Sequence, residues 1–286
     1  MHRIPVTLSI AGNDSSGGAG SAADVKTMSA LGCYAAPVLT AFTVQNTLGV
    51  AASTALDAAI VRAQIDAVAG DFDIAATKIG MLANASIVHV VADAVAQHSL
   101  TPLVLDPVLV STSGHVLLAD DAIDALVSRL LPRATLLTPN AAEAARLSGL
   151  PVTSHDQARR AIAALVDLGA RAVLLKGGHL PRVRGEDGDW YCVDLLWDGD
   201  AFSEVRGLFI DTPHTHGTGC TYASAIAAGL ARGHGLIGAV RIARRYLNGA
   251  IANSLAIGQG RGPVDHFWYL EPGVEPWSRV SAGADD

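Results

Sequence analysis

Residues 5–32, PVTLSIAGNDSSGGAGSAADVKTMSALG, decide the class of fold. Residues 5–11 form a short apolar run of the kind a buried strand needs. Residues 12–20 are a glycine-rich loop. Residues 20–31 then place Ala22, Val25, Met28, Ala30 and Leu31 at helical spacing, and Gly32 follows as a helix-ending glycine. The same order of strand, polar turn and helix recurs along the chain. Strands are predicted at 36–43, 74–79, 103–105, 135–137 and 172–176. Helices are predicted at 54–68, 86–97, 154–168 and 235–257. Alternation of this kind implies right-handed strand–helix–strand units and a mostly parallel sheet covered on both faces. Residues 190–197 and 201–209 flank Asp198-Gly199, a hairpin signal, and are read as a short antiparallel edge.

Polar residues gather where these strands end. Gln45 follows the second strand, Met81 the third, and Asp106 and Val108 the fourth. Asn140 follows the fifth as a helix cap, with Glu143 three residues on, and Lys176 ends the sixth. In parallel sheets ligands bind beyond the carboxyl ends of the strands, so these residues are expected on one rim. Residues 111–114 are read as a flap and 180–188 as a mobile surface loop.

The stretch 211–232, DTPHTHGTGCTYASAIAAGLAR, is the second signature. Its Gly217-Thr218-Gly219-Cys220 turn runs straight into a helix, capped by Thr218 or Thr221, with Ala223, Ala225, Ile226, Ala227 and Leu230 as its apolar face. A glycine turn at a helix start presents free backbone amides and partial positive charge to one spot. That suits a phosphate, or the charge that builds on a phosphoryl group in transfer.

Composition narrows the field. Half of the 286 residues are hydrophobic and 16% are charged, enough for a large core and against disorder. The net charge of -7 argues against a nucleic-acid partner. Three unspaced cysteines, Cys33, Cys192 and Cys220, are neither a disulfide framework nor a zinc site and fit a reducing compartment. The apolar runs are too short to span a bilayer. A soluble cytoplasmic protein without a membrane partner is expected. The glycine loop does not contain G-x-G-x-x-G, and no acidic residue ends the second strand, which removes a dinucleotide-binding oxidoreductase.

Taken in order, SIAGNDSSGGAG, ADVKTMSALG, LTAFTVQNT, TKIGML, DPVLVSTSG, LLTPNAAEA, LLKGGH, THGTGC and GRGPVDHF resemble the hydroxymethylpyrimidine and phosphomethylpyrimidine kinases of thiamine biosynthesis, over residues 6–267. The resemblance implies the three-layer αβα ribokinase-like fold, as a kinase domain over 1–267 with a C-terminal tail over 268–286. No fused thiamine-phosphate synthase domain is expected. It implies ATP-dependent phosphorylation of 4-amino-5-hydroxymethyl-2-methylpyrimidine and of its monophosphate, with Mg²⁺ and a homodimer. Most ribokinase relatives carry an acidic residue where Cys220 stands. A pyridoxal kinase on the same scaffold, or a non-catalytic nucleotide- or vitamin-binding regulator, is the alternative.

Under this resemblance Gly217, Thr218, Gly219 and Cys220 hold the transferring group, and Thr218 also serves the nucleotide. Phosphoryl transfer is usually loose, so little proton removal is needed early. A helix N-terminus lowers a thiol pKa, so Cys220 is expected to accept the alcohol proton late. The inert alternative is a thiol that only lines the site. Asp24 and Gln45 are expected on the pyrimidine, with Met81 and Val108 as apolar walls. Asn140 and Lys176 are expected on ATP, and Asp106 and Glu143 on the metal, since Mg²⁺ takes a few carboxylates plus waters and phosphate oxygens. His214 and His216 are expected to shape the turn or stand on the nucleotide side, not to act as bases. Ser21-Ala22 and Asn13 depart from the common family pattern, which bears on the substrate more than on the reaction.

Overall fold

The computed structural model describes residues 4–110 and 117–270. Its centre is one ten-stranded sheet. The strands are β1 (Val6–Asp14), β2 (Tyr34–Asn46), β3 (Gly49–Ala55), β4 (Ile74–Ile79), β5 (Leu103–Leu105), β6 (Leu136–Leu137), β7 (Val173–Leu175), β8 (Val183–Arg184), β9 (Trp190–Trp197) and β10 (Phe202–Leu208). The helices are α1 (Gly20–Ala30), α2 (Ala58–Asp71), α3 (Ala85–Gln97), α4 (Asp120–Ala125), α5 (Ala141–Ser148), α6 (His155–Asp167), α7 (Thr218–Ala231) and α8 (Leu236–Ala252).

The strand order is β10-β9-β7-β6-β5-β4-β1-β2-β3, with β8 paired to β9. The pairs from β2 through β1, β4, β5 and β6 to β7 are all parallel. β9 and β10 form the expected antiparallel edge. The chain order reverses between β1 and β4, one leading outward to β2 and the other to β5. That reversal opens a crevice at their carboxyl ends, where ligands bind in sheets of this kind.

Side-chain alternation sorts the strands between two cores. Leu8, Ile10, Leu103, Leu105, Leu137, Val173 and Leu175 face α2, α3, α5 and α6. Val104, Leu136, Leu174 and Leu196 face α7 and α8. Each fully buried Leu or Ile contributes roughly 1.5–3 kcal/mol by leaving water. The three-layer architecture is therefore the one read from the sequence.

Four local readings need correction. A strand, β3, occupies the start of the stretch predicted as helix 54–68, and it pairs antiparallel with a longer β2. Its residues are largely exposed, so no buried periodicity marked it. The stretch read as a mobile loop at 180–188 contains β8, registered on β9 through Val183–Tyr191 and Arg184–Trp190. The helical turns around α4 had no prediction. The helix α7 is buried almost all round from Thr221 to Gly229 rather than along one face. Its run of Ala, Ser and Gly lets the sheet, α1 and α8 approach on all sides, and a Cβ on Gly229 would stand 3.0 Å from that of Ala239. The expected flap at 111–114 lies outside the described residues. So does the tail beyond Leu270, while Trp268 packs against the α7–α8 core.

Candidate active site

The glycine loop after β1 and the turn before α7 meet across the crevice. Asp14 ties them together. Its Oδ1 accepts from the Ser16 amide and hydroxyl, each at 2.8 Å, and its Oδ2 accepts from the Ala19 amide at 2.8 Å. Its Oδ2 also lies 2.8 Å from His216 Nε2, 202 residues away in sequence. Burial alone would raise the Asp14 pKa, but the bonds from His216 and Ser16 prevail and hold it below the usual carboxylate value. Gly217 has φ 82, and a Cβ there would stand 1.8 Å from the Gly18 carbonyl oxygen, so only glycine fits this contact.

α7 starts immediately after. Its N-cap is Gly217, and no side chain caps it. The expected caps Thr218 and Thr221 lie inside the helix: Thr221 bonds His266 Nε2 at 3.2 Å instead. Among the described residues, no side chain caps the first-turn amides of Gly219 and Cys220.

Two charged clusters flank this helix start. The first is closed. Lys78, at the end of β4, and Asp24, in α1, are both fully buried and joined by bonds of 2.8 and 2.9 Å. Ser9 and Ser224 donate the remaining bonds to Asp24, at 2.6 and 2.7 Å. Burial would lower the Lys78 pKa, yet the Asp24 carboxylate beside it, and Asp106 beyond, raise it, so Lys78 stays charged.

The second cluster is less complete. Asp106 follows β5, and its Oδ1 accepts from Lys176 at 2.7 Å and from Thr138 at 3.0 Å. Lys176 also stands 3.9 Å from Glu143. A Cβ on Gly219 would lie 3.5 Å from Lys176 Nζ and 4.0 Å from Asp106 Oδ2, which places this cluster against the first turn of α7. Burial would raise Asp106, but Lys176 and then Lys78 hold it below the usual carboxylate range. Glu143 goes the other way. Burial pushes it up to about 7, with Lys176 opposing and Asp106 adding. It closes a capping box with Asn140: the Asn140 amide donates to Glu143 at 2.7 Å, and the Glu143 amide to Asn140 Oδ1 at 2.9 Å.

An uncapped helix start with Lys176 and Asp106 against its first turn is an arrangement that can hold an anion such as a phosphate. The phosphomethylpyrimidine kinase family model covers residues 14–265. The chain belongs to the phosphomethylpyrimidine kinase family. It is similar to the hydroxymethylpyrimidine/phosphomethylpyrimidine kinase of Rhizobium meliloti, at 49% identity over 271 residues, 93% of this chain and 99% of that one. Among solved structures it resembles the phosphomethylpyrimidine kinase of Clostridium difficile, with TM-score 0.74 and 38% identity over 86% of this chain and 99% of that one. It also resembles the Staphylococcus aureus pyridoxal kinase in complex with AMP-PCP and pyridoxal, with TM-score 0.83 and 32% identity over 93% and 95%.

Within this kinase family site, the sequence-predicted residues divide. Asp106 and Lys176 stand against the α7 turn, and Glu143 and Asn140 adjoin Lys176. Gln45 stands beside it, its Nε2 3.4 Å from His216 Nε2 and its Oε1 accepting from Thr43 at 3.2 Å. Met81 is 8% exposed and lies under the glycine loop, its Sδ 2.9 Å from where a Gly12 Cβ would be. Half-buried Val108 donates its amide to the Asp106 carbonyl at 2.9 Å. Asp24 is fully buried beneath the site, and four bonds reach its carboxylate. Cys220 lies in the first turn of α7. Burial pushes its thiol up to about 11, with Lys78 opposing and Asp24 and Asp106 adding, which overrides the lowering expected from the helix start.

Two residues escaped the sequence reading of the site. Asp14 opens the glycine loop as an Asx turn, a pattern visible in Asp14-Ser15-Ser16-Gly17. Its partner His216 was read as shaping the turn or standing on the nucleotide side. Lys78 had a plainer signal, a lysine inside an otherwise buried strand, which demands a paired acid.

Proposed function

We propose that this chain phosphorylates 4-amino-5-hydroxymethyl-2-methylpyrimidine, and then its monophosphate, with ATP as donor. The observation that carries this reading is the uncapped start of α7, with Lys176 and Asp106 against Gly219. The transferring phosphoryl group is held by the amides of Gly219 and Cys220, with Gly217 and Thr218 shaping the turn. Lys176 neutralises phosphate oxygens, and Asn140 contributes to the nucleotide side. Gln45 carries both a donor and an acceptor for an aminopyrimidine edge, and Met81 and Val108 supply apolar contact.

Mg²⁺ suits the donor set of Asp106 and Glu143. Both are hard oxygen donors, and among the described residues no group of three His, Cys, Asp or Glu forms a metal cage. Such a pair fits an ion that takes its other ligands from water and phosphate, and the ion would neutralise charge on the nucleotide phosphates. Lys78 keeps positive charge beneath the turn throughout. The Cys220 thiol remains protonated near neutral pH, so positioning and charge stabilisation, rather than an early base, carry the step.

Incubation with Mg-ATP and the hydroxymethylpyrimidine, followed by product masses, tests the reading: two added phosphates are expected. No added phosphate would overturn it. Pyridoxal phosphorylation is the second reading, favoured by the likeness to the Staphylococcus aureus pyridoxal kinase. Parallel kcat/KM values for the two substrates separate them.

We assign residues 1–267 to the kinase domain and the remainder to a tail, in a cytoplasmic enzyme. The three free cysteines agree with a reducing compartment, and no described helix is long and apolar enough to cross a membrane. We assign the homodimer contact to the β2–β3 edge, where Phe42, Val44 and Leu48 are exposed. Sedimentation of Val44→Glu as a monomer, against a dimeric parent, is the expected outcome.

A further inference from the structure

The end of the sheet opposite β3 carries a groove of about 500 Å³ between β10 and α8. Strands β9, β7, β6 and β5 separate it from β4 and the crevice already described. On α8, Arg241, Arg244, Arg245 and Asn248 stand at i, i+3, i+4 and i+7, the spacing that puts side chains on one helix face. All four line the groove. This stripe runs beside the apolar face by which α8 packs, Val240, Ala243 and Leu247, and follows the edge of β10. Here it presents three guanidinium groups, with Arg206 of β10 as a fourth arginine on the lining. Glu204 is the one acid on that lining, and it is shared between Arg206 at 3.2 Å and Arg159 at 3.5 Å. Among the described residues, Arg241 and Arg245 have no ion-pair or hydrogen-bond partner. In a chain of net charge -7, so local an excess of like charge calls for a counter-anion.

The groove is also built, not merely basic. Arg244 is more than nine-tenths buried. One of its terminal nitrogens is fixed 3.3 Å from Asp194, which in turn accepts from the Gly177 amide at 2.7 Å and from Tyr222 at 2.9 Å. Its Nε is buried and has no partner, and neither has Asn248 Oδ1. Gly207 is the cradle: a Cβ there would stand 1.8 Å from Arg244 Nε. The guanidinium therefore lies flat against the β10 backbone, pre-set in orientation, with unsatisfied hydrogen-bonding capacity beside two free arginines.

We propose that this groove is a second anion site, which takes a small phosphate-bearing anion of the pyrophosphate class through Arg241, Arg244 and Arg245. Guanidinium forks match phosphate oxygens in pairs, and a rigid fork loses little freedom on binding.

Calorimetric titration of the full chain with inorganic pyrophosphate, under saturating AMP-PCP to occupy the nucleotide site, is the test. Wild type is expected to retain one pyrophosphate site. Arg241→Ala/Arg245→Ala, whose changed residues are exposed and outside the catalytic machinery, is expected to weaken that site by about tenfold or more, since each charged hydrogen bond is worth about a decade in affinity. Equal isotherms for the two proteins overturn the proposal. Parallel titrations with inorganic phosphate and with a simple phosphate monoester identify the source: a tighter monoester points to a phosphorylated metabolite, a tighter pyrophosphate to the free ion. Hydrogen exchange on the wild-type chain gives a readout free of any variant. Pyrophosphate is expected to protect β10 and α8, and protection confined to the turn before α7 would sink the assignment.

Discussion

The two clusters beside the start of α7 are made of the same groups and do different work. Asp24–Lys78 is fully buried, and Ser9 and Ser224 take up the remaining capacity of its carboxylate. Asp106–Lys176–Glu143 shares one lysine between two carboxylates, at 2.7 and 3.9 Å. In the first, every charge is answered within the protein. In the second, the bonds from Lys176 and Thr138 both reach Asp106 Oδ1, and Glu143 stands 3.9 Å from the lysine with its carboxyl pushed up to about 7, so the cluster has bonding capacity left for a ligand. The lesson is that an ion pair near a catalytic turn is structural when saturated and chemical when short of partners.

The sharpest way to break this distinction is Lys78→Met. It leaves Asp24 charged and alone in the interior, and a loss of about 3–5 kcal/mol in unfolding free energy is expected. Asp24→Asn/Lys78→Met is expected to recover much of it. Denaturant midpoints for the three proteins decide the matter, and a mild single-variant effect would show that the first cluster is not closed.

Lys176→Ala probes the other side. Turnover is expected to fall by about 100- to 1,000-fold, as when a preorganised charge at a transition state is removed. The melting temperature should fall too, because Asp106 loses its ion-pair partner, but less than in Lys78→Met, since Lys176 is partly exposed and Thr138 still donates to Asp106. A large loss of stability with turnover retained would reverse the roles of the two lysines.

The pH dependence of stability sharpens the contrast. Glu143 holds its proton more tightly in the fold than in the unfolded chain, its carboxyl rising from an ordinary 4.5 to about 7. The folded state therefore binds more protons across that window, and this contribution to stability declines as pH rises through it. Relative to Glu143→Gln, which keeps an acceptor for the Asn140 amide, wild-type melting temperature is expected to drop from pH 4.5 to 7 and run parallel above. Lys78, with its pKa raised, contributes its full share below about pH 10.4 and gives no slope in that window.

The smallest effect is expected at Cys220. With its thiol near 11, it is a poor base at neutral pH. Cys220→Ala is expected to keep turnover within about tenfold of the parent, below the 100-fold or more that a general base supplies. A larger loss, reversed in Cys220→Asp, would restore the base.

Much of the fold was legible because it is local. The capping box at Asn140 and Glu143 needed only three residues of spacing. β4, β5 and the β9–β10 hairpin stood in short apolar runs with turn signals around them. β3 escaped because an exposed edge strand carries no burial pattern; α7 was read as a helix, and only its enclosure on all sides was missed. In the site, Asp106, Glu143 and Lys176 could be placed from strand ends alone. The state of Cys220 could not, because it depends on burial and on charges from α1, β4 and the end of β5.

The sequence by itself determined the alternation of strand and helix, the glycine loop, and the turn that starts α7, since periodicity and turn chemistry act over a few residues. Tertiary structure alone decided that Lys78 closes on Asp24, 54 residues away, and that His216 locks onto Asp14, 202 residues away. Whether a charged side chain is saturated or available depends on how many partners packing brings to it and how much water it excludes. Neither quantity exists until the chain has folded.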